Sequence, residues 1–375
     1  MIILLTIALF ILVLGLLVFV HELGHFVAAK RAGMQVEEFG FGFPPRIFGI
    51  KRGDTLYSIN LIPLGGFVRI AGEDGGETEN PKSFGQKSFS RRLAVLIAGV
   101  MMNAVFAWLL ISIGLGTGLP TIVSENEQLP AHARARGLAV GIVEVSESGP
   151  AGEAGVKVGD KIIKIAGSDV KTIEDAQALT RAGAGQPTTY TLGRGSATIE
   201  KTITPRVDPP AGQGPLGISL SSIALVSYPW YLAPIKGITA TVNLLVSTVT
   251  GIATILGQWI TGKSVSAALS GPVGIAVMTR DIAALGIPYL IQFTAVLSIN
   301  LSIINAIPFP ALDGGRVLFL AIERIRRRKL PQTAEQVANT VGFFLLLLLM
   351  AFVTYKDITR LGGNLFGRIG HLFGG

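Results

Sequence analysis

The first 30 residues constrain this chain most, because an uncharged apolar run ends in a cluster of ionisable side chains. Residues 2–20 carry no charge and one hydroxyl, and the next residues read His21-Glu22-Leu23-Gly24-His25. A helix of that length can cross a bilayer, where ionisable groups are expensive and usually functional. The run therefore predicts a membrane span with a functional site near its C-terminal end.

The spacing of the two histidines indicates a metal site. On a helix, residues four apart share one face, so His21 and His25 can point their imidazoles at one ion, with Glu22 beside them. This is the H-E-x-x-H spacing of zinc sites, in which the glutamate is the general base. A catalytic zinc also needs a third protein ligand and an open position for water. Histidines at this spacing can instead merely pack or cap, but an apolar span weakens that interpretation.

Composition predicts further spans and limits the ligands. Hydrophobic residues make up 49% of the chain and charged residues 15%, and the mean hydropathy is +0.56, which is too apolar for an ordinary soluble protein. The net charge of +8 does not indicate nucleic acid, because Lys and Arg gather beside apolar segments, as in cytoplasmic membrane flanks. Since cysteine is absent, a metal must be held by histidine and carboxylate.

These patterns predict an α-helical polytopic membrane protein with about four transmembrane helices, a membrane-associated β-hairpin region and one inserted β-rich domain. Ten Lys and Arg place residues 30–92 inside. Residues 229–262 are apolar but rich in Thr, Ser and Gly; because an even number of crossings must separate two basic inside segments, we expect them on or partly in the outer membrane surface. The segments are 1–29 (first span), 30–92 (cytoplasmic β region), 93–117 (second span), 120–208 (outside domain), 209–284 (outer-surface segment), 285–320 (third span), 321–338 (cytoplasmic basic loop), 339–355 (fourth span) and 356–375 (tail).

Strand signals fill the first inside segment. Residues 46–50 and 55–62 read as a β-hairpin around a turn at 51–54, and residues 63–68 as a glycine bend that leads into another extended segment. Two interpretations stay open: an amphipathic sheet that lies on the membrane, or an edge that pairs with an extended peptide substrate.

The outside domain resembles a PDZ domain of the bacterial protease-associated kind. The resemblance rests on Ser148-Gly149-Pro150-Ala151, Ala154-Gly155-Val156 and the run from Gly159-Asp160 to Gly167, in the usual order. It implies a groove that binds an extended peptide or a chain terminus by β-augmentation. Residues 172–181 would form the groove helix and 137–145 the edge strand. A groove that is shut and serves only as a spacer is the alternative.

The third metal ligand is expected to be a carboxylate, because the other two of the four histidines lie in outside or terminal segments. Asp313 is the candidate. It follows two prolines, Pro308 and Pro310, at the inner end of the third span, and a broken helix is tolerated in a membrane where backbone lines a site. Asn103, the one amide of the second span, either bonds to a neighbouring helix or approaches the active site.

Together these residues resemble the site-2 protease family of intramembrane zinc metalloproteases, and the bacterial RseP-type branch (regulator of sigma-E protease) fits best. The matching elements are the two metal motifs, Leu64-Gly65-Gly66-Phe67, the single PDZ insertion, and Ser270-Gly271-Pro272-Val273-Gly274-Ile275. The resemblance implies one Zn²⁺ held by His21, His25 and Asp313. It also implies that Glu22 is the catalytic base, that Asn305 lies near the substrate, and that Gly65, Gly66 and Phe67 bind substrate.

The resemblance further implies cleavage in or near the transmembrane segment of a single-pass protein, usually after another protease has removed its outer part. Anti-sigma factors and remnant signal peptides are the family's substrate classes. It implies a multi-pass protein of the bacterial inner membrane, in contact with lipid. The positions of the basic residues and the number of spans predict that both termini and the PDZ domain are periplasmic and that the active site lies toward the cytoplasm.

Three departures and two alternatives accompany this interpretation. The RseP type has two tandem PDZ domains, the second span usually has a proline where this chain reads Gly99-Val100, and Arg316 stands where histidine is frequent. One alternative is a non-catalytic PDZ membrane scaffold with a structural metal site, which would have no need of Glu22. A metal-ion transporter would need more polar residues along its spans.

Overall fold

Long helices dominate the computed structural model, which describes residues 2–73, 80–123, 129–146, 148–210, 212–262, 270–328 and 330–373. Lys329, part of the predicted basic loop, lies outside the described residues. The helices are α1 (Ile2–Arg31), α2 (Phe89–Thr117), α3 (Pro150–Glu153), α4 (Ile173–Ala182), α5 (Ala233–Ile260), α6 (Pro272–Leu285), α7 (Ile287–Ala306), α8 (Asp313–Arg326) and α9 (Gln332–Phe373). The strands are β1 (Val36–Arg52), β2 (Thr55–Ile70), β3 (Leu119–Ile122), β4 (Arg134–Val145), β5 (Lys161–Ile165), β6 (Ser168–Asp169), β7 (Thr188–Arg194), β8 (Ala197–Ile203) and β9 (Ile218–Ser227).

Five helices within the described residues are long and apolar enough to cross a membrane: α1, α2, α5, α7 and α9. The chain is therefore a polytopic helical membrane protein with sheet regions, as predicted. The sequence analysis expected about four spans and placed residues 229–262 on the outer surface, where α5 forms one continuous helix. Length and composition do not separate a crossing helix from a surface helix, so the number of crossings stays a prediction.

The chain divides into two compact units, and the first comprises Met1–Trp108, Thr241–Arg280 and Thr294–Gly375. Its sheet is built from two long bent strands. Residues 46–52 pair with 55–60 as the predicted hairpin, and residues 36–41 pair antiparallel with 66–70. The bend between the two halves of β2 lies against α1, because a Cβ added at Gly65 would meet Cγ1 of Val18 at 2.8 Å.

A small apolar core joins this sheet to the helices that surround it. Its buried members come from α1, α2, α8, both strands and the segments between them: Ala29, Met34, Val36, Ile70, Phe84, Val95, Leu96 and Leu320. The core therefore fixes the C-terminal end of α1 relative to α2 and α8, the helices that carry the polar residues described below.

The second unit comprises Leu109–Ala240 and Asp281–Phe293. Its sheet has the order β3-β9-β4-β5-β7-β8, with β6 on β5. Helix α4 begins at a capping box in which Thr172 and Asp175 exchange hydrogen bonds, and backbone N–H groups of Lys171 and Thr172 hold the pKa of Asp175 below its ordinary value. The fully buried carboxylate of Asp160 binds Arg194 through two hydrogen bonds of 2.7 Å.

Two predictions about this domain were wrong. Residues 137–145 were expected to form an edge strand, but β4 lies between β9 and β5 in the sheet. The domain was expected to end at residue 208, yet β9 pairs with β4 over residues 218–227. Because residues 205–217 are rich in Pro and Gly, their sequence resembles that of a linker between domains. They lead instead into β9, a central strand of the sheet. The resemblance to a PDZ domain itself stays a prediction.

Candidate metal centre

Three potential ligand atoms converge between α1 and α8. Nε2 of His21 lies 3.2 Å from Nε2 of His25, and Oδ2 of Asp313 lies 3.0 and 3.2 Å from the two nitrogens. The histidines are 6% and 7% exposed. The two halves of this group come from residues almost 300 positions apart, so the structure brings together the three residues that the sequence analysis proposed as ligands.

The group fits a zinc ion by geometry and by chemistry. Ligand atoms about 2.1 Å from a tetrahedral zinc lie about 3.4 Å from one another, close to the separations of 3.0–3.2 Å found here. Oδ2 of Asp313 is also buried with no hydrogen-bond partner in the described part of the chain. Lone pairs that face each other at this distance need a cation or a proton between them, and two imidazoles with one carboxylate are a common zinc ligand set.

One face of α2 supports both imidazoles. Nδ1 of His25 donates a hydrogen bond of 2.8 Å to the carbonyl oxygen of Val95, and Nδ1 of His21 lies 3.2 Å from the side-chain amide of Asn103. Gly99 lies between them, and a Cβ there would be 2.4 Å from Nε2 of His25 and 2.8 Å from Nε2 of His21. Residues 95, 99 and 103 are four apart, so they share one helical face.

Part of this face was not predicted from the sequence. Gly99 stood out there only as a departure from the family pattern, and the role of Asn103 was open. The close approach of the helices is visible at Gly24 as well, where a Cβ would be 2.4 Å from the carbonyl oxygen of Ala98. Small residues at facing positions let helix backbones approach in membranes, which brings α2 within hydrogen-bond distance of the histidines.

Asp313 is held in place by the chain that precedes it. The first turn of α8 packs on residues 306–309: a Cβ at Gly314 would be 2.3 Å from the carbonyl oxygen of Ile307, and one at Gly315 would be 2.2 Å from that of Phe309. Two consecutive glycines after the aspartate are therefore required. Sequence analysis did not identify Asn339 of α9, whose Oδ1 accepts a hydrogen bond of 3.0 Å from the N–H of Ala311.

The other proposed site residues lie at different distances from the cluster. Glu22 is half-buried on α1, and a Cβ at the buried Gly66 would be 3.7 Å from its Cγ. Gly65 is buried with φ of +123°, a backbone conformation that favours glycine. Phe67 is half-buried and its backbone pairs with Gly40. Asn305 is half-buried in the last turn of α7 and does not belong to the three-residue cluster.

Arg316 has a structural role of its own. It lies one turn after Asp313 on α8 and forms an ion pair with Glu73, just beyond β2. Nearby, Arg92 of α2 pairs with Glu323 of α8 at 2.9 Å. These pairs join the β region and α2 to α8, so arginine at position 316 ties the helix that begins at Asp313 to the β region.

Comparison with known proteins is consistent with this geometry. The pattern of Peptidase family M50 matches residues 9–349. The chain belongs to this family. Similar proteins include one from Clostridium perfringens named as a zinc metalloprotease, with 36% identity over 93% of this chain and 97% of its own length. The zinc metalloprotease RasP of Geobacillus kaustophilus is 33% identical over 94% and 97%, and the regulator of sigma-W protease RasP of Bacillus subtilis 31% over 95% and 99%.

Membership in family M50 decides between the three classes of protein considered from the sequence: protease, scaffold and transporter. The chain is a zinc metalloprotease of the site-2 protease type, in the branch that contains the RseP-type enzymes. The match spans the α1 histidines and Asp313 alike. Zinc is therefore the metal cofactor, and the alternatives of a scaffold with a structural metal or a metal-ion transporter are set aside.

Proposed function

We propose that this M50 peptidase hydrolyses a peptide bond within or beside the transmembrane segment of single-pass membrane proteins. The observation that carries the proposal is the location of the cluster. His21 and His25 are buried in α1, directly after an apolar run long enough to span a bilayer. A substrate must therefore bring its scissile bond to the depth of a membrane helix.

In the proposed mechanism, His21, His25 and Asp313 would hold the ion, which would supply Lewis acidity for a water molecule and for the substrate carbonyl. Glu22 accepts a proton from the water as its oxygen adds to the carbonyl carbon, and then donates this proton to the amine that leaves when the C–N bond breaks. Because Glu22 directly follows His21 on α1, it lies beside the proposed ligands without being one of the three ligand residues itself.

The β region is proposed to present the substrate. Among the described residues, 66–70 pair only with 36–41 of β1, so one edge of this part of the sheet remains available to an added strand. An extended substrate on that edge would pass Gly66, where no side chain separates the backbone from Glu22. Strand pairing would also provide hydrogen-bond partners for the backbone N–H and C=O groups that a substrate helix exposes when it unwinds. Asn305 is proposed to lie near the substrate carbonyl, with Gly65 and Phe67 in the binding edge.

The class of substrate is inferred from a relative. The Bacillus subtilis protein is named as a regulator of a sigma factor, so we propose an anti-sigma factor or a remnant signal peptide, cut beforehand by another protease. Basic residues in 30–92 favour a cytoplasmic location for the active-site end of α1. The inserted domain would then face the periplasm, where it either binds a peptide terminus or excludes substrates with large outer parts.

The test is cleavage of single-pass substrates by the purified, reconstituted enzyme and by Glu22→Gln. We expect the variant to keep its zinc and to lose at least about 100-fold in rate, because general-base catalysis contributes about 10²–10⁴-fold. Glu37→Gln, which changes a half-buried glutamate of β1, is the matched control and should cleave normally. Full activity of Glu22→Gln would refute the mechanism.

A further inference from the structure

Asn103 is the one amide of α2 and is fully buried beside the metal cluster. Its side-chain nitrogen lies 3.2 Å from Nδ1 of His21. Its side-chain oxygen is buried without a hydrogen-bond partner in the described part of the chain. A buried unpaired carbonyl oxygen costs about 1–3 kcal/mol, so the orientation of this amide calls for an explanation.

The chemistry of His21 determines what Nδ1 needs. If Nε2 is a metal ligand, its lone pair is used, and the single proton of the neutral imidazole is on Nδ1. Nδ1–H is then a donor, which an amide NH₂ cannot satisfy but an amide oxygen can. Because the oxygen and nitrogen of an asparagine are told apart by their hydrogen-bond network, a half-turn of the amide gives both Nδ1–H and the orphaned oxygen a partner.

The second histidine shows the same arrangement completed. Nδ1–H of His25 donates to the carbonyl oxygen of Val95, an acceptor two helical turns before Asn103 on the same face of α2. Helix α7 is hydrogen-bonded to this part of α2: Ser298 Oγ donates to the backbone carbonyl of Asn103 at 2.8 Å, and Ser302 Oγ to that of Val100 at 2.9 Å. These bonds hold the backbone at Asn103 in place along α2, which keeps its side-chain amide next to Nδ1 of His21.

We propose that Asn103 is a positioning residue for zinc: its side-chain oxygen accepts a hydrogen bond from Nδ1–H of His21 and so keeps the Nε2 lone pair directed at the metal. The inference depends on the proposed ligand role of His21. Partners that hold the second nitrogen of a ligating histidine typically change metal affinity about 10–100-fold when they are removed.

Two replacements of Asn103 separate an acceptor from a donor or a space-filler. Asn103→Asp keeps an acceptor and removes the donor, whereas Asn103→Leu keeps a similar shape and removes both. Zinc affinity of the full-length protein in detergent is measured by competition with a chromogenic chelator. We expect a weakening of about 10–100-fold for Asn103→Leu and near wild-type affinity for Asn103→Asp. Thr117→Val removes side-chain hydrogen bonds to the carbonyl oxygens of Ile113 and Gly114 in the last turn of α2 and is the matched control, with unchanged affinity.

Two outcomes would overturn the proposal: Asn103→Asp as weak as Asn103→Leu, or Asn103→Leu as tight as wild type. If Asn103→Leu does not fold, ¹⁵N NMR of histidine in the zinc-loaded wild type decides. We expect Nδ1 of His21, assigned by its loss in His21→Gln, to carry a proton that exchanges slowly with water, as an N–H bonded to a buried acceptor does; an unprotonated or rapidly exchanging Nδ1 would refute the role. These readouts stand even if Glu22→Gln left proteolysis unchanged, so failure here is distinguishable from failure of the proposed mechanism.

Discussion

Replacement of Gly99 by Ala tests whether α2 sets the ligand geometry. In an ordinary helix this change is favourable, because Ala has a higher helix propensity than Gly by about 1 kcal/mol. At this position the added Cβ would lie 2.4 Å from Nε2 of His25, 2.7 Å from Cε1 of His21 and 2.8 Å from its Nε2. Helix propensity and site geometry therefore predict opposite signs for the same substitution.

The size of the effect follows from these distances. Non-bonded carbon and nitrogen atoms are comfortable at about 3.5 Å or more, so the His25 ring must recede by roughly 1 Å. Metal–ligand distances tolerate only about 0.2 Å. A displacement of roughly 1 Å removes His25 from the ligand set, and we expect zinc affinity to fall at least about 100-fold, which corresponds to about 3 kcal/mol.

Zinc content and zinc affinity of Gly99→Ala are measured by elemental analysis and by chelator competition, next to thermal unfolding of the zinc-free protein. Gly116→Ala is the matched control on the same helix, since within the described ranges its Cβ would meet only Cβ of Ala233, at 3.8 Å. We expect full zinc binding for the control and little for Gly99→Ala at equal zinc. Stoichiometric, tight zinc binding by Gly99→Ala would refute the account of α2 given above.

Two further substitutions test the supports of the site and of the inserted domain. Asn339→Leu removes the acceptor for the N–H of Ala311, so we expect the free energy of unfolding to fall by about 1–2 kcal/mol. We also expect zinc to bind several-fold more weakly in chelator competition. Unchanged zinc affinity would show that this hydrogen bond does not position Asp313. Arg194→Met leaves the buried carboxylate of Asp160 without its charged partner, so we expect the free energy of unfolding of the inserted domain to fall by about 3 kcal/mol and its limited proteolysis to become faster. Arg181→Met changes an exposed arginine and should behave as wild type. Equal proteolysis of the two variants would show that the ion pair does not stabilise the domain.

Local spacing was sufficient for the α1 half of the site. His21 and His25 are four residues apart on a helix that the apolar run predicts, so their common face follows from helical geometry alone. Asp313 required more: its depth was inferred from the charge bias of the loops and from two prolines that end the third span. The structure brings its carboxylate within 3.2 Å of both imidazoles, although the sequence contained no direct signal for that contact.

The contribution of α2 could not be predicted in the same way. Gly99 acts by having no side chain, and the acceptor at Val95 is a backbone carbonyl, which every residue has. Which of them faces the histidines depends on the antiparallel register of α1 and α2, and that register follows from close packing at positions such as Gly24. Periodicity in one helix does not contain this information, so the role of Asn103 stayed open until the helices were placed.

The inserted domain shows a different limit. Alternation of apolar and polar residues identifies strands but does not tell a central strand from an edge strand, because both bury one face. β4 was therefore misjudged as an edge. Position in a sheet depends on which distant strand pairs beside it, and here that strand is β9, which follows a Pro/Gly-rich segment.

The arrangement also implies that zinc binding and helix packing are coupled. Nδ1 of His25 is held by α2, and Nε2 of both imidazoles is directed at Asp313, so the packing of the helices places the ligand atoms close together. Three lone pairs that face one another in a buried site repel, and an unpaired buried carboxylate is costly. A bound cation removes both penalties, so part of its binding free energy stabilises the contacts of α1 with α2 and α8. It follows that a residue such as Gly99, which offers the metal no ligand atom, is as necessary to the site as a ligand, because it decides whether the ligand atoms can meet.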